Sequence, residues 1–216
     1  MPVFRNPVAA VALSLVAGLT LSHVCTAQGA INDWSGLKFP PPPILKPVTV
    51  DPKTTALLLF DFTTQSCSRQ RRPRCAASMP KMKKLLDDAH KRGMYVIYSV
   101  ALKNTAAKDI MPDITPKAGE PVLPSLGPDK FLNSNFEKML RDNKITTIII
   151  NGTSAESTVL HTGGEAALRG FNVVAPVDGM SSNTAFVEAY TAYHLVNTAR
   201  VKNKTELTSV DMISYK

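Results

Sequence analysis

The stretch NGTSAESTVLHTGGEAALRG, at residues 151–170, decides the fold of this chain. An apolar run at residues 145–150 comes before it, and a second apolar run at residues 171–176 comes after it. Short apolar runs bounded by polar segments are typical of buried strands, and the segment between them is long enough for a crossover helix. The stretch therefore predicts a βαβ unit, in which a helix joins two parallel strands.

The rest of the chain repeats this alternation of strand and helix. Further strands are predicted at three apolar runs: residues 56–60, 94–100 and 207–213. Helices are predicted at four segments: from a cap at Ser78 to Gly93, around residues 136–140, over residues 158–169, and from a cap at Ser182 to about Asn197. Because strands separated by helices form parallel sheets covered on both faces, we predict one three-layer α/β/α domain with a mainly parallel sheet.

Residues 1–27 have the pattern of a signal peptide. Arg5 supplies a positive charge before an apolar run at residues 8–21, and residues 25–27 offer a small-residue cleavage site. The apolar run is too short to span a bilayer as a helix. We therefore predict cleavage near Ala27, export to the periplasm or the medium, and no stable membrane anchor. Retention of the segment as an anchor is the alternative.

The mature chain is predicted to consist of an arm and a domain. Residues 28–53 contain four consecutive prolines, at 40–43, which favour an extended segment without internal hydrogen bonds. This arm could cross a neighbouring subunit of a homo-oligomer, or it could be a plain linker. Residues 54–216 form the predicted α/β domain, and they contain no internal repeat.

Cys67 and Cys75 are the cysteines that remain after the predicted cleavage. An even number of cysteines in an oxidising compartment favours a disulfide between them. Closing so short a loop contributes about 2–3 kcal/mol to stability on the chain-entropy account. The alternative is a reactive thiol at one of the two residues, which would need a reducing environment that export does not supply.

The formal net charge of the chain is +8, and much of it lies near these cysteines. Four arginines concentrate the charge in one loop: Arg69, Arg71, Arg72 and Arg74. Basic clusters can bind nucleic acid, but this loop has no interleaved aromatic residues and no nucleic-acid-binding motif. We therefore predict a solvated basic face and no nucleic-acid partner. The alternative is that the charge attracts a small anionic substrate.

Asp61 and Gly152 mark the ends of two predicted strands, those at residues 56–60 and 145–150. Parallel sheets bind ligands at the carboxyl ends of their strands, so both residues lie at the edge where a site is expected. A carboxylate at this edge suits proton transfer by a general acid or base. The alternative role for Asp61 is to cap a helix or a turn.

Three segments together resemble the isochorismatase-like (cysteine hydrolase) superfamily: LLLFDFTTQ around Asp61, GPDKFLNSNF around Lys130, and the stretch from Gly152 onwards. The resemblance covers about residues 54–214. It implies a small-molecule substrate and a site in which Asp61 handles the proton. It also implies that Lys130 contacts Asp61 and stabilises developing negative charge.

The resemblance further implies an oxyanion hole after the strand at residues 145–150. In relatives, the backbone amides at the positions of Ser154 and Thr158 form this hole, often beside a cis peptide equivalent to Thr153–Ser154. A helix N-terminus at this place adds positive partial charge. Ser157 and His161 are further candidates for contact with the substrate. The alternative for His161 is a structural role.

Thr158 stands where the superfamily has its nucleophilic cysteine, six residues beyond Gly152. A hydroxyl cannot replace a thiolate without a strong base, so amide hydrolysis by the thiol route is not expected. Thr158 is either a catalytic nucleophile or a pocket-lining residue that bonds its own helical turn. True isochorismatases resemble this scaffold, have a small residue at that position, and cleave a vinyl ether by acid-assisted addition of water. That chemistry needs Asp61 and Lys130 alone.

No metal ion or cofactor is predicted. Nicotinamidase-like relatives add a cluster of Asp and His, but the corresponding residues 100–109 contain no histidine, and the other histidines lack ligand spacing. The chain is therefore interpreted as an exported isochorismatase-like hydrolase that acts on a small molecule through its Asp/Lys site. The alternatives are a non-catalytic small-molecule-binding protein on the same scaffold and an Asp–Lys enzyme for a small anionic ether or enol.

Overall fold

The computed structural model describes residues 34–101, 103–124 and 127–216. The chain forms two units, Met1–Pro40 and Pro41–Lys216, and the described part of the first contains a 3₁₀ turn at Trp34–Gly36. The predicted signal peptide lies outside the described residues. Within the described ranges, no helix is both long and apolar enough to cross a bilayer.

The second unit contains the strands, all of which pair in parallel. The described strands are β1 (Val48–Val50), β2 (Thr55–Phe60), β3 (Tyr95–Ser99), β4 (Val122–Leu123), β5 (Thr147–Thr153), β6 (Asn172–Pro176), β7 (Met180–Ser181), β8 (Thr205–Thr208) and β9 (Ile213–Tyr215). The central sheet has the order β4-β3-β2-β5-β6-β8, with β7 paired to the end of β5. β1, which lies within the predicted arm, pairs with β9 in a separate sheet. The prediction of a mainly parallel sheet is confirmed.

The central strands are buried on both faces, which explains their continuous apolar runs. All six residues of β2 and six of the seven residues of β5 are buried. Successive side chains alternate between two cores, with Phe60 and Ile150 on one face of the sheet. Leu59 and Ile149 lie on the other face.

Helices cover both faces of the sheet. The described α-helices are α1 (Pro73–Lys91), α2 (Phe136–Asp142), α3 (Leu160–Leu168) and α4 (Ala185–Asn197). On the face of Leu59, α1 buries Met82. On the opposite face, α2 buries Phe136, α3 buries Ala166 and α4 buries Leu195. The predicted three-layer α/β/α architecture is therefore confirmed.

Two predicted helix starts are wrong. Helix α1 begins at Pro73 because proline is favoured in the first turn, and the predicted cap Ser78 lies inside the helix, where its hydroxyl donates to a backbone carbonyl. Helix α4 begins at Ala185 and not at Ser182, because Thr184 caps it by accepting a backbone hydrogen bond. Several polar residues compete for such caps, and local pattern alone does not choose among them.

The predicted last strand, residues 207–213, is also wrong as a single element. A 3₁₀ turn at Val210–Met212 divides it, so that one part belongs to β8 and the other to β9. The N–H of Val210 donates to the carboxylate of Asp178, which fixes the turn. The two strands therefore join different sheets.

Candidate active site

Asp61 lies directly after β2, at the carboxyl end of the central sheet. Its backbone is left-handed, with a φ of 66°, and this conformation ends the regular alternation of the strand. The residue is 5% exposed. Ser99, the last residue of β3, donates a hydrogen bond of 2.6 Å from its hydroxyl to Oδ1 of Asp61. Two neighbouring strands therefore hold this carboxylate.

Lys130 pairs with Asp61 inside the protein. Its Nζ lies 3.2 Å from both carboxylate oxygens and donates to the carbonyl oxygen of Gly127 at 3.0 Å. Lys130 is only 1% exposed, and a buried ammonium without a partner is strongly unfavourable. Each charge therefore depends on the other, and the structure brings these two predicted site residues together.

Helix α3 positions Lys130 through Thr162. The backbone N–H of Lys130 donates to Thr162 Oγ1 at 3.1 Å, and that hydroxyl donates to the carbonyl oxygen of Pro128 at 3.0 Å. Thr162 is fully buried. The segment that carries the lysine is therefore tied to the helix that follows β5.

The connection between β5 and α3 is a tight turn. Its Thr153–Ser154 peptide is cis, and a π-helical turn at Ala155–Val159 precedes α3. The carbonyl oxygen of Ser154 accepts hydrogen bonds from the N–H groups of Ser157, at 3.3 Å, and Thr158, at 3.1 Å. The helix predicted here thus begins with a wider turn. The oxyanion role of these amides stays a prediction.

Thr158 is buried against the end of β5. It is 1% exposed, and its Oγ1 has no hydrogen-bond partner within the described residues. The predicted bond from this hydroxyl to its own helical turn is therefore wrong. A Cβ added at Gly152 would lie 2.8 Å from Thr158 Cγ2 and 3.1 Å from the carbonyl oxygen of Phe60. Glycine is thus the residue that lets the turn pack so closely.

Ser157 and His161 are less buried than Asp61, Lys130 and Thr158. Ser157 is partly buried in the π-helical turn, and His161 is exposed on α3. The next residue, Thr162, faces inward and contacts the backbone of Lys130. The structure therefore turns His161 away from the Asp61–Lys130 pair, and a contact between His161 or Ser157 and substrate stays a prediction.

Sequence reasoning missed Ser99 and Thr162. A signal for Ser99 was present, because it is the polar end of an apolar strand and the strand beside it ends at Asp61. For Thr162 the signal was its match to the family pattern in the stretch from Gly152 onwards, which did not reveal its contacts, because its partners belong to a segment 32 and 34 positions earlier. Its role becomes visible only in the folded chain.

The Cys67–Cys75 disulfide is present, with its Cα atoms 5.2 Å apart. From the loop that it closes, the Nη1 of Arg72 donates to Thr153 Oγ1 at 2.6 Å. Burial lowers the pKa of Arg72, the carboxylate of Glu156 opposes this shift, and the charge of Arg71 adds to it. The predicted solvated basic face is therefore wrong for Arg72, which reaches the carboxyl edge of the sheet.

In the described part of the chain, no group of three or more His, Cys, Asp or Glu side chains could hold a metal ion. His90 is instead hydrogen-bonded to Glu120, with 2.6 Å between Nε2 and Oε1. The chemistry available at the edge is thus that of a buried carboxylate, an ammonium, hydroxyls and a guanidinium.

Known proteins resemble this chain in sequence. The profile of the Isochorismatase domain family matches residues 55–204. An N-carbamoylsarcosine amidase from Arthrobacter sp is 30% identical over 84 residues, which make up 39% of this chain. The matching segment spans 32% of the length of that amidase.

Solved structures resemble the chain in fold. An isochorismatase-like hydrolase from Alkaliphilus metalliredigens matches with a TM-score of 0.65 at 20% identity, over 73% of this chain and 95% of that one. A nicotinamidase from Staphylococcus aureus matches with a TM-score of 0.64 at 15% identity, over 73% of this chain and 99% of that one. At these identities the likeness concerns the fold alone.

Proposed function

This chain belongs to the isochorismatase family of hydrolases, and on that basis we propose that it is an exported enzyme that hydrolyses a small molecule without a nucleophilic side chain. Asp61 is the proposed proton-transfer residue, and Lys130 is its electrostatic partner. Water, and not the side chain of residue 158, is the proposed nucleophile.

The hydrogen-bond partners of Asp61 and Thr158 are the observation that supports this proposal. The carboxylate of Asp61 receives hydrogen bonds from Ser99 and Lys130, whereas the hydroxyl of Thr158 has no partner among the described residues. A threonine nucleophile needs a base that takes its proton, and within the described ranges no group accepts a hydrogen bond from the Thr158 hydroxyl. A positioned carboxylate, by contrast, can take a proton from water.

In the proposed hydrolysis of an amide, Asp61 takes a proton from the attacking water while the new carbon–oxygen bond forms, and it returns that proton to the leaving nitrogen as the carbon–nitrogen bond breaks. In the proposed hydrolysis of a vinyl ether, protonated Asp61 first gives its proton to the terminal carbon of the double bond and then takes a proton from the water that adds to the resulting cation. The hydroxyl proton of that adduct passes to the ether oxygen as the carbon–oxygen bond breaks, so in both reactions the carboxyl group ends in its starting form. The ammonium of Lys130, 3.2 Å from both carboxylate oxygens, stabilises negative charge throughout these steps. Backbone amides near Ser154 are proposed to polarise the substrate.

Two classes of scissile bond follow from the relatives. The names of the N-carbamoylsarcosine amidase and the nicotinamidase indicate amide substrates. The resemblance to isochorismatases indicates a vinyl ether. We propose that the substrate is small, carries an anionic group, and contains one of these two bonds, which can be tested side by side.

Two features support export. Residues 1–27 have the signal-peptide pattern, and the Cys67–Cys75 disulfide belongs to the kind of bond that persists in oxidising compartments. Protein isolated from its native compartment and denatured without reductant is expected to have no free thiol at either cysteine. Two reactive thiols in that sample would contradict export to an oxidising compartment.

The test of the activity is hydrolysis of a panel of small amides and vinyl ethers by purified mature protein. Wild type is expected to turn over one class, and Asp61→Asn is expected to lower the rate by about 10²–10⁴-fold with folding intact by circular dichroism. The matched control is Asp142→Asn, which changes an exposed carboxylate whose ion-pair partner among the described residues is Lys138 and which should leave the rate unchanged. Because water is the nucleophile, Thr158→Cys should add little.

Three outcomes would contradict the proposal. Unchanged turnover in Asp61→Asn would remove the carboxylate from the mechanism. Activity that appears only in Thr158→Cys would mean that the site lacks just its nucleophile, and it would favour a binding protein over an enzyme. Absence of turnover in every variant would exclude hydrolysis of these two bond classes.

A further inference from the structure

The strand register places three polar residues in one row at the carboxyl edge of the sheet. Phe60 pairs with Gly152, and Thr153 pairs with Ser181. Asp61 directly follows Phe60, just as Thr153 directly follows Gly152. β2 and β5 are neighbouring strands, and neighbouring strands lie about 4.8 Å apart, so the residues that directly precede Asp61 and Thr153 are one strand spacing apart. A group bound at Thr153 would therefore be close to the Asp61–Lys130 pair.

Arg72 brings a guanidinium to this row. Its Nη1 donates to Thr153 Oγ1 at 2.6 Å, and its Nε donates to Asn183 Oδ1 at 3.2 Å. Both acceptors are neutral oxygens. Within the described ranges, Arg72 makes no ion pair, whereas Arg74, in the same loop, pairs with Glu188. Of these two arginines, Arg72 is therefore the one that reaches the carboxyl edge of the sheet and has no described carboxylate in contact with its guanidinium.

The unused edge of the Arg72 guanidinium suits a carboxylate. A guanidinium has five N–H donors, and the bonds to Thr153 and Asn183 use one on Nε and one on Nη1. Among the described residues, Nη2 donates no hydrogen bond. Nη1 keeps one further N–H and Nη2 keeps both of its own, and the end of a guanidinium formed by these two nitrogens can bind the two oxygens of a carboxylate.

The surroundings hold Arg72 in place before any ligand arrives. The Cys67–Cys75 disulfide closes the loop around it, and its backbone N–H donates to the carbonyl oxygen of Ser68 at 2.8 Å. Pro73, the first residue of α1, follows directly. A positioned arginine loses little freedom on binding, which favours affinity.

Beside Thr153, the Ser181 hydroxyl is a further polar group that lacks a hydrogen-bond partner among the described residues. Ser181 is buried, and its hydroxyl makes no hydrogen bond within the described part of the chain. Thr153 Oγ1 donates to the carbonyl oxygen of Ser181 at 3.3 Å, so the two residues are in contact. An unpartnered buried hydroxyl is unfavourable, and an entering ligand oxygen would relieve it.

The nearby acidic residue does not occupy this place. Glu156 acts on the charge of Arg72 through space and so helps to keep the guanidinium protonated. Its carboxylate accepts a hydrogen bond of 2.7 Å from the hydroxyl of Ser182. Among the described residues, no carboxylate therefore contacts the edge formed by Nη1 and Nη2.

We propose that Arg72 binds the carboxylate of the substrate and so selects small carboxylic acids for the Asp61–Lys130 site. This inference rests on the proposed function, because it assigns the substrate class of the same site. The bond to be hydrolysed lies within a few bonds of the carboxylate, since Arg72 contacts the strand next to Asp61.

The experiment is isothermal titration calorimetry of the mature protein with benzoate, pyruvate and acetate, each beside its neutral amide. Wild type is expected to bind at least one carboxylate more tightly than the matching amide. Arg72→Gln is expected to weaken that binding roughly 10- to 100-fold, the loss typical of a charge-assisted bidentate contact. Arg69→Gln, which removes the same charge from an exposed residue of the loop, should leave the affinity unchanged.

Arg72→Lys guards against a folding defect in Arg72→Gln. The lysine ammonium retains the charge but lacks the paired N–H groups of arginine. The affinity of Arg72→Lys for the carboxylate should therefore fall between those of wild type and Arg72→Gln. Thermal unfolding of all variants checks that they are folded. Equal affinity in wild type, Arg72→Lys and any folded Arg72→Gln would overturn the inference. So would a wild type that binds none of the carboxylates at millimolar concentrations.

The binding experiment separates this inference from the hydrolase proposal. Carboxylate binding that depends on Arg72, in a protein that hydrolyses nothing, would support the inference and contradict the activity. Hydrolysis of amides or ethers that Arg72→Gln and Arg72→Lys leave unchanged for charged and neutral substrates alike would support the activity and overturn the inference.

Discussion

Two sites of buried polar side chains at the carboxyl edge of the sheet, the Asp61–Lys130 pair and Thr158, differ in their hydrogen-bond partners. Asp61 and Lys130 bring opposite charges together, and hydrogen bonds engage both carboxylate oxygens and the ammonium. Thr158 is buried as deeply, yet its hydroxyl has no partner in the described structure, and its methyl group packs against Gly152. Burial of a polar residue is therefore no sign of chemistry by itself. The Asp61–Lys130 pair provides groups that can transfer a proton, whereas Thr158 contributes the packing of its methyl group against Gly152.

The largest loss of stability is expected where a buried charge loses its partner. Among the described residues, Asp61→Leu leaves the buried ammonium of Lys130 without a counter-charge, and Lys130→Met leaves the carboxylate with the hydrogen bond from Ser99 alone. Each substitution should lower the free energy of unfolding by about 3–5 kcal/mol. Urea denaturation followed by circular dichroism measures the change.

The double variant Asp61→Leu/Lys130→Met is the matched control for this prediction. It removes both charges, so its free energy of unfolding should be well above the value expected from adding the two single losses. Strict additivity would show that the two charges do not depend on each other in solution. In that case the Asp61–Lys130 pair would not differ from Thr158 in having partners on which its burial depends.

A smaller loss is expected where Thr158 packs against the strand end. Gly152→Ala would place a Cβ 2.8 Å from Thr158 Cγ2 and 3.1 Å from a backbone carbonyl oxygen, so the turn must shift. We expect a loss of about 1–3 kcal/mol in the free energy of unfolding. Gly164→Ala, within α3, has nothing within 4 Å of the new Cβ and should gain up to about 1 kcal/mol. Similar effects at the two positions would contradict the close packing.

The smallest expected effect is a gain at Thr158. Thr158→Val keeps the shape of the side chain and removes the unpartnered hydroxyl, which should raise the free energy of unfolding by about 1 kcal/mol. Turnover should persist if water is the nucleophile. Thr162→Val is the control, because it removes two hydrogen bonds and should lose about 1–3 kcal/mol. A comparable loss in Thr158→Val would mean that its hydroxyl has a partner after all.

Parts of the site could be predicted because they follow from local pattern. Asp61 and Gly152 end apolar strands, and the strand-end rule for parallel sheets places both at one edge. Lys130 came from family resemblance, since it stands 69 positions from Asp61 and resembles other lysines in its local sequence. The helix start at Ser78 was wrong because the helix begins earlier, at Pro73, without a side-chain cap, and the start at Ser182 was wrong because Thr184 is the residue that caps that helix.

The sequence by itself determined the layers of this protein. Runs of apolar residues, with period and length typical of buried strands and amphipathic helices, are sufficient for a parallel sheet between helices. Only the tertiary structure decided that Arg72 bonds to Thr153 and that no described group bonds to the hydroxyl of Thr158, and it supplied the geometry of the Lys130–Asp61 contact that the family resemblance implied. The physical reason is separation along the chain, because the hydrophobic pattern of a strand or helix can be read from residues that are close in sequence. Hydrogen bonds between residues 69 and 81 positions apart depend on strand order and register.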